Sequence, residues 1–157
     1  MRGNVARMGS ILRRVSIAVA ITALAVASTL AHAQQAKTVG GLVINFGLMP
    51  ADLAVGAAGH RDAHPAHPPP GSQHVLVTLD DQKTGKRIGD AEVAIEVTDP
   101  RGRVEKKPLL HTQAGGLPDY SELFEFGWSG QYVLRVLVTL KPGAAPIEAR
   151  FSVNHAI

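Results

Sequence analysis

The chain has 157 residues, of which 45% are hydrophobic and 18% charged, and it carries a formal net charge of +3 and no cysteine. The lack of cysteine excludes disulfides, thiolate metal sites, Fe–S clusters and a cysteine nucleophile. Four of the sixteen Lys and Arg residues, but none of the thirteen Asp and Glu residues, lie in residues 1–33. Residues 34–157 therefore contain twelve basic and thirteen acidic residues and have a net charge of −1. This charge offers no basic surface to nucleic acid, and we expect no nucleic-acid partner.

The N-terminus has the pattern of a secretory signal. Residues 1–14 are basic, residues 15–30 form an apolar run, and Ala31-x-Ala33 fits a signal-peptidase site. The run is shorter than the ~20 residues of a transmembrane helix, and no stop-transfer charges follow it, which argues against a retained anchor. The sequence therefore predicts a signal peptide over 1–33, one domain over 34–157, a periplasmic or secreted location, and no membrane span after cleavage.

The rest of the chain is dominated by strand patterns. Residues 40–50 are apolar, rich in strand formers and end at Pro50, whereas residues 51–73 are rich in Ala, Gly, Pro and His without a clean period and predict a long loop. Alternation of apolar and polar residues, interrupted by turns, predicts further strands at 74–80, 91–99, 103–112, 120–126, 131–140 and 147–155.

Seven short strands and no convincing helix predict an all-β domain, an antiparallel immunoglobulin-like β-sandwich of about seven strands. A closed barrel is the main alternative architecture. Tyr132, at the start of the most apolar strand, is placed either as a tyrosine corner, whose hydroxyl ties the strand to nearby backbone, or as an ordinary strand tyrosine.

The sequence lacks the common catalytic motifs. GWSG at 127–130 does not have the spacing of a nucleophile elbow, and KTGKR at 83–87 lacks the upstream glycine and the Ser or Thr of a phosphate loop. There is no dinucleotide fingerprint, His-Glu-x-x-His motif or calcium loop either. We therefore predict a protein that is not an enzyme and has no organic cofactor.

A histidine tract is the main candidate for chemistry. Residues 60–74, HRDAHPAHPPPGSQH, hold four of the seven histidines. Imidazole suits copper, zinc and nickel, and a thioether suits Cu(I). The predicted metal ligands are the four histidines of the tract and two outer candidates: His60, His64, His67, His74, Met49 and His111. Neutral imidazole is the ligand, so metal affinity should fall as pH drops below the ordinary histidine pKa of ~6.5.

Two segments carry a family resemblance. Residues 115–140, GGLPDYSELFEFGWSGQYVLRVLVTL, and residues 83–97, KTGKRIGDAEVAIEV, resemble small secreted bacterial sandwich domains of the YtkA-like kind. They are also similar, more faintly, to periplasmic copper-binding proteins associated with iron uptake. In the latter a Met after Pro, before the Gly-rich loop, helps to bind copper. This chain has Pro108-Leu109-Leu110-His111 there, so the resemblance offers His111 only as a substitute ligand.

These observations predict a periplasmic, non-catalytic domain that binds or handles a transition metal through its His-rich loop, with copper first and zinc or nickel second. A metal transporter or another periplasmic protein is the expected partner. The alternative is a structural or protein-interaction module of the cell envelope, in which the loop is a solvated linker and the histidines bind no physiological metal.

Overall fold

The computed structural model describes residues 33–55 and 68–157, which form a sandwich of two antiparallel β-sheets. In this part of the chain the elements are β1 Ala33–Val39, β2 Leu42–Pro50, α1 Ala51–Val55, β3 Ser72–Asp81, β4 Glu92–Thr98, β5 Val104–Pro108, β6 Leu110–Ala114, β7 Leu117–Glu125, β8 Gly130–Thr139 and β9 Ile147–His155. Within these residues, no helix is long and apolar enough to cross a membrane.

The strand order is that of an immunoglobulin-like sandwich. One sheet has the order β1-β2-β3-β7-β6 and the other β5-β4-β8-β9. With β2 as strand A, the first sheet contains A, B, E and D and the second contains C, F and G, as in immunoglobulin domains. The predicted all-β sandwich is therefore confirmed, with nine strands in the described residues where the sequence predicted about seven.

One additional strand is β1. Its residues are mostly polar and lack apolar alternation, so the sequence pattern did not predict a strand there. It pairs with β2 over its whole length because Gly40 and Gly41, with φ of 57° and 80°, allow the tight type I′ turn of a β-hairpin. Gln35 Nε2 then donates a hydrogen bond of 2.8 Å to the Ser152 carbonyl of β9, which ties the two sheets together along this side.

The other additional strand arises where the predicted strand 103–112 divides. Pro108 ends β5, and the chain passes to β6 in the opposite sheet through Leu109, which is buried. The Leu109 N–H donates to the Val93 carbonyl at 2.8 Å. Proline has no N–H with which to continue a ladder, and the apolar side chain of Leu109 is buried at the crossing.

The core lies between the sheets and includes two stacked aromatic pairs. Phe46 stacks on Phe151 with ring centroids 5.2 Å apart, and Phe126 on Tyr132 at 4.1 Å. The Tyr132 hydroxyl accepts a hydrogen bond from the Trp128 N–H and donates one to the Trp128 carbonyl, both at 3.1 Å. Of the two interpretations of Tyr132, the tyrosine corner is confirmed.

Candidate metal centre

His74 lies in β3 on the outward face of the five-stranded sheet. Val75, Val77 and Leu79 point into the core and are fully buried, and alternation along the strand turns His74 the other way. Even so, only 1% of His74 is exposed. The sheet therefore holds this imidazole in place, and His74 belongs to a strand, as the predicted strand 74–80 required.

Met49 is the cross-strand neighbour of His74. The register of β2 and β3 places the two residues directly opposite each other, and Met49 is half-buried. Side chains of such a pair lie on the same face with Cβ atoms ~5 Å apart. On its other side His74 pairs with Leu123 of β7. The structure thus brings together two of the predicted ligands, a thioether and an imidazole, from adjacent strands.

His60, His64 and His67 lie outside the described residues, in the segment 56–67. The described chain on each side of this segment adjoins the His74 end of the sheet. Before it, α1 contacts β2 and β3 and buries Ala51 and Ala54. After it, Pro68–Gly71 leads directly into β3, and a cavity of about 260 Å³ lies between residues 50–52 and 68–73.

His111 lies on the opposite face of the same sheet. It pairs with Tyr120 of β7, which pairs in turn with the core residue Val77 of β3. The His111 ring meets the Tyr120 ring edge-on, with centroids 5.7 Å apart, and His111 is exposed. Because His74 is three residues from Val77, it points to the other face, and a single ion cannot be bound by both histidines.

Tyr120 fixes the chain beside His111. Its hydroxyl accepts a hydrogen bond from the Ala91 N–H at 3.1 Å and donates to the Ile88 carbonyl at 3.3 Å. Burial raises the pKa of the Tyr120 phenol above its ordinary value of 10.0. A cavity of about 450 Å³ borders Tyr120 and His111, so this imidazole lies at the mouth of a separate pocket.

The sequence analysis missed a buried polar cluster on the His74 face. Thr112 Oγ1 donates a hydrogen bond to Asp119 Oδ1 and lies 3.2 Å from Ser121 Oγ. Their exposed fractions are 8%, 1% and 0%. Ser121 pairs with Leu76, two residues after His74, so it is diagonal to the histidine on the same face. No sequence signal marked this cluster, because polar residues that alternate with an apolar residue such as Tyr120 normally indicate the solvent-facing side of a strand.

The described part of the chain does not form a complete metal site alone. Within residues 33–55 and 68–157, no group of three or more His, Cys, Asp and Glu side chains is arranged to hold a metal ion. Of the predicted ligands in these residues, only His74 and Met49 are neighbours, and His111 lies apart from them.

No protein-family model and no curated protein matches this chain, whereas several solved structures share its fold. FetP from uropathogenic Escherichia coli strain F11 has a TM-score of 0.59 at 11% identity, over 80% of this chain and 95% of that chain. A DUF4426 family protein from Pseudomonas aeruginosa PAO1 has a TM-score of 0.59 at 14% identity, over 78% of this chain and 94% of that chain. Copper-reconstituted P19 from Campylobacter jejuni has a TM-score of 0.55 at 12% identity, over 77% of this chain and 92% of that chain. At these identities the likeness establishes the fold, and the YtkA-like resemblance stays a prediction.

Proposed function

We propose that this chain is a periplasmic, non-catalytic β-sandwich domain that binds a transition metal, copper first. The ligands are His74 and Met49 on the sheet together with His60, His64 and His67 of the loop. The observation that carries the proposal is the cross-strand pair of Met49 and His74 at the end of the sheet where the loop begins and ends.

The chemistry of this pair favours copper. A thioether is a soft ligand that suits Cu(I), and imidazole binds both oxidation states of copper as well as zinc and nickel. The two donor groups come from neighbouring strands, so their spacing is fixed before metal binds, which lowers the entropic cost of ordering the site. FetP and P19 have been solved with copper bound, which supports copper on a sandwich of this kind.

The loop histidines complete the ligand set in this proposal. The pair supplies two ligands, whereas electron-transfer copper sites, for example, have three strong ligands and a weak axial one. Since residues 51–71 connect β2 to β3, the segment that holds His60, His64 and His67 is anchored on both sides of the Met49–His74 pair. His111 lies on the other face and is not part of this ligand set.

One observation favours the alternative function, a protein-interaction module. Trp128, the chain's single tryptophan, is 44% exposed. The Arg101 guanidinium lies 3.2 Å from the centroid of its ring. Trp and Arg are the residue types most enriched at the energetic centres of interfaces. The two functions are compatible if a partner docks on this end of the sandwich to exchange metal.

Metal titration of the processed protein tests the proposal. Cu(I), Cu(II) and Zn(II) would be added separately while calorimetry records stoichiometry and the fluorescence of Trp128 records binding. A triple variant carrying His60→Ala, His64→Ala and His67→Ala should lose at least tenfold in copper affinity. Met49→Leu, which nearly conserves volume, should weaken Cu(I) but leave Zn(II) almost unchanged, because only the soft ion needs the thioether.

His111→Ala is the matched control, since it removes an exposed imidazole from the opposite face. It should leave the first stoichiometric copper site intact. Equal affinity in the wild type and the triple variant, or weak non-stoichiometric binding in both, would contradict the proposal and favour the interaction module.

A further inference from the structure

The edge strand β6 differs from the other edges of the sandwich. In the described sheets the edge strands are β1, β6, β5 and β9. Charged residues occur in three of them, namely Lys37 in β1, Glu105, Lys106 and Lys107 in β5, and Glu148 and Arg150 in β9. The sequence of β6, LHTQA, contains no Asp, Glu, Lys, Arg or Pro. Natural proteins use such residues to prevent edge-to-edge pairing, so β6 is the edge built without this protection.

The β6–β7 hairpin determines which backbone groups of β6 face outward. Gly115 and Gly116, with φ of 60° and 82°, form a two-residue type I′ turn closed by the pair Ala114–Leu117. Hydrogen-bonded and non-hydrogen-bonded pairs alternate from there along the ladder. His111 and Gln113 consequently belong to non-hydrogen-bonded pairs with β7, and their N–H and C=O groups point away from it.

We propose that β6 pairs antiparallel with β6 of a second copy of this chain, about a two-fold axis at Thr112. In this register His111 of each copy faces Gln113 of the other, and the outward N–H of each residue donates to the outward C=O of the residue it faces. Leu110 of one copy then faces Ala114 in β6 of the second copy, and Ala114 pairs with Leu117 of β7 in that copy. The two leucines are therefore aligned across the joined sheet, with one β6 strand between them. Both leucines lie on the outward face and are 44% and 54% exposed in the single chain.

Self-pairing fits this edge better than pairing with a charged partner strand. In a symmetric antiparallel pair the two copies of any residue near the axis lie close together, so a charge there would be repelled by its own copy, and β6 has no Asp, Glu, Lys or Arg. The opposite side of the sandwich is already closed by the hydrogen bond from Gln35 to Ser152. A contact of this length is small, so we expect a dissociation constant on the order of micromolar to millimolar.

A register-specific disulfide tests the proposal, because the chain has no cysteine of its own. Two copies carrying Thr112→Cys would have Cα atoms ~4.5–5.5 Å apart, within the range for a disulfide. Two copies carrying Leu110→Cys would have Cα atoms about 14 Å apart. Oxidation should therefore cross-link the Thr112 variant and not the Leu110 variant, although Leu110 is the more exposed position. Cross-linking of both, of neither, or of Leu110→Cys alone would overturn the proposal.

Sedimentation equilibrium provides a second measurement, with variants that leave the backbone hydrogen-bonding groups of β6 unchanged. The wild-type protein should dimerise at concentrations up to about 1 mM. Gln113→Lys should weaken the dimer at least tenfold, whereas Asn154→Lys, at an exposed position of the edge strand β9, should not. A monomeric wild type at this concentration, or equal dimerisation of the Gln113 variant, would refute pairing through β6.

Discussion

The outward faces of the two sheets treat polar side chains differently. On the four-stranded sheet, Arg135 donates hydrogen bonds of 2.7 Å to both Glu96 and Glu148, and the three side chains are 31%, 22% and 34% exposed. On the five-stranded sheet, Asp119 and Ser121 are 1% and 0% exposed. The charged cluster on the first face stays in contact with water. On the second face Asp119 and Ser121 are withdrawn from water, while Asn45, Thr78 and Asp80 on the same face stay partly exposed.

This difference distinguishes a solvent face from a face with a specified polar interior. Exposed ion pairs contribute little to stability because water and salt screen them. Buried polar groups destabilise the fold unless each is hydrogen-bonded, so their arrangement must be maintained. The face with the buried polar cluster is also the one that carries His74 and Met49. On the five-stranded sheet, the buried polar groups that affect stability therefore share a face with the proposed metal site. The ion pairs of the four-stranded sheet lie on a face that carries no part of that site.

The largest expected effect is that of Asp119→Ala. The change removes the acceptor of the Thr112 hydroxyl inside the buried cluster. We expect it to lower the free energy of unfolding by about 2–3 kcal/mol, measured by urea denaturation. Asp90→Ala, at an exposed position, is the control and should change stability by less than about 0.5 kcal/mol. Equal losses in the two variants would erase the distinction between the faces.

Thr112→Val should have the next largest effect. Valine nearly matches threonine in shape, so the variant removes the hydroxyl and leaves the packing in place. Asp119 and Ser121 each lose one hydrogen-bonding neighbour in a buried environment. We expect a loss of about 1–2 kcal/mol in the same denaturation experiment. A stabilised Thr112→Val variant would mean that the cluster does not require this hydroxyl.

Arg135→Gln should be less destabilising than either change in the cluster, although it breaks two ion pairs at once. The partly exposed glutamates can return to water when the guanidinium is removed. Thermal melts at low and high NaCl provide the measurement. The wild type should lose its small advantage over the variant at about 1 M salt, where the Debye length is near 3 Å. A larger loss than that of Thr112→Val would show that the charged face also specifies the fold.

The smallest effect concerns acid stability. Hydrogen bonds from Arg135, and then from Arg150, lower the pKa of Glu148 from its ordinary value of 4.5 to about 2. A carboxyl whose pKa is lower in the folded state contributes its stability above the unfolded value and loses it as pH falls through the folded value. Glu148→Gln should therefore flatten the pH dependence of unfolding between about 4.5 and 2. Superimposable acid curves for the variant and the wild type would contradict this.

The sequence predicted the strands with an apolar inward face and missed β1, which has none. Alternation identified β4, β8 and β9, whereas β1 is polar and is held by a turn and by its neighbour. Residues 103–112 were predicted to form one strand, because alternation does not show that the chain passes from one sheet to the other at Leu109.

Site prediction met the same limit. The position of His74 at a strand start could be predicted, but its pairing with Met49 depends on the register across a long connection, which apolar patterns do not fix. The faces of His74 and His111 follow from two registers in succession, from β3 to β7 and from β7 to β6. Loop composition offered His60, His64 and His67 as ligands and no geometry for them.

The two Gly-Gly hairpins also have a consequence for how the chain folds. Both edges of the five-stranded sheet, β1–β2 and β6–β7, are pairs of strands adjacent in sequence and closed by two-residue turns. Hairpins of this kind form in about 1–10 μs, before distant segments meet. Pairing of β3 with β7 must close a much longer stretch of chain, which includes β4, β5 and β6. We expect this closure to limit the folding rate, so that mutations in the β3–β7 contact slow folding and mutations at the sheet edges mainly accelerate unfolding.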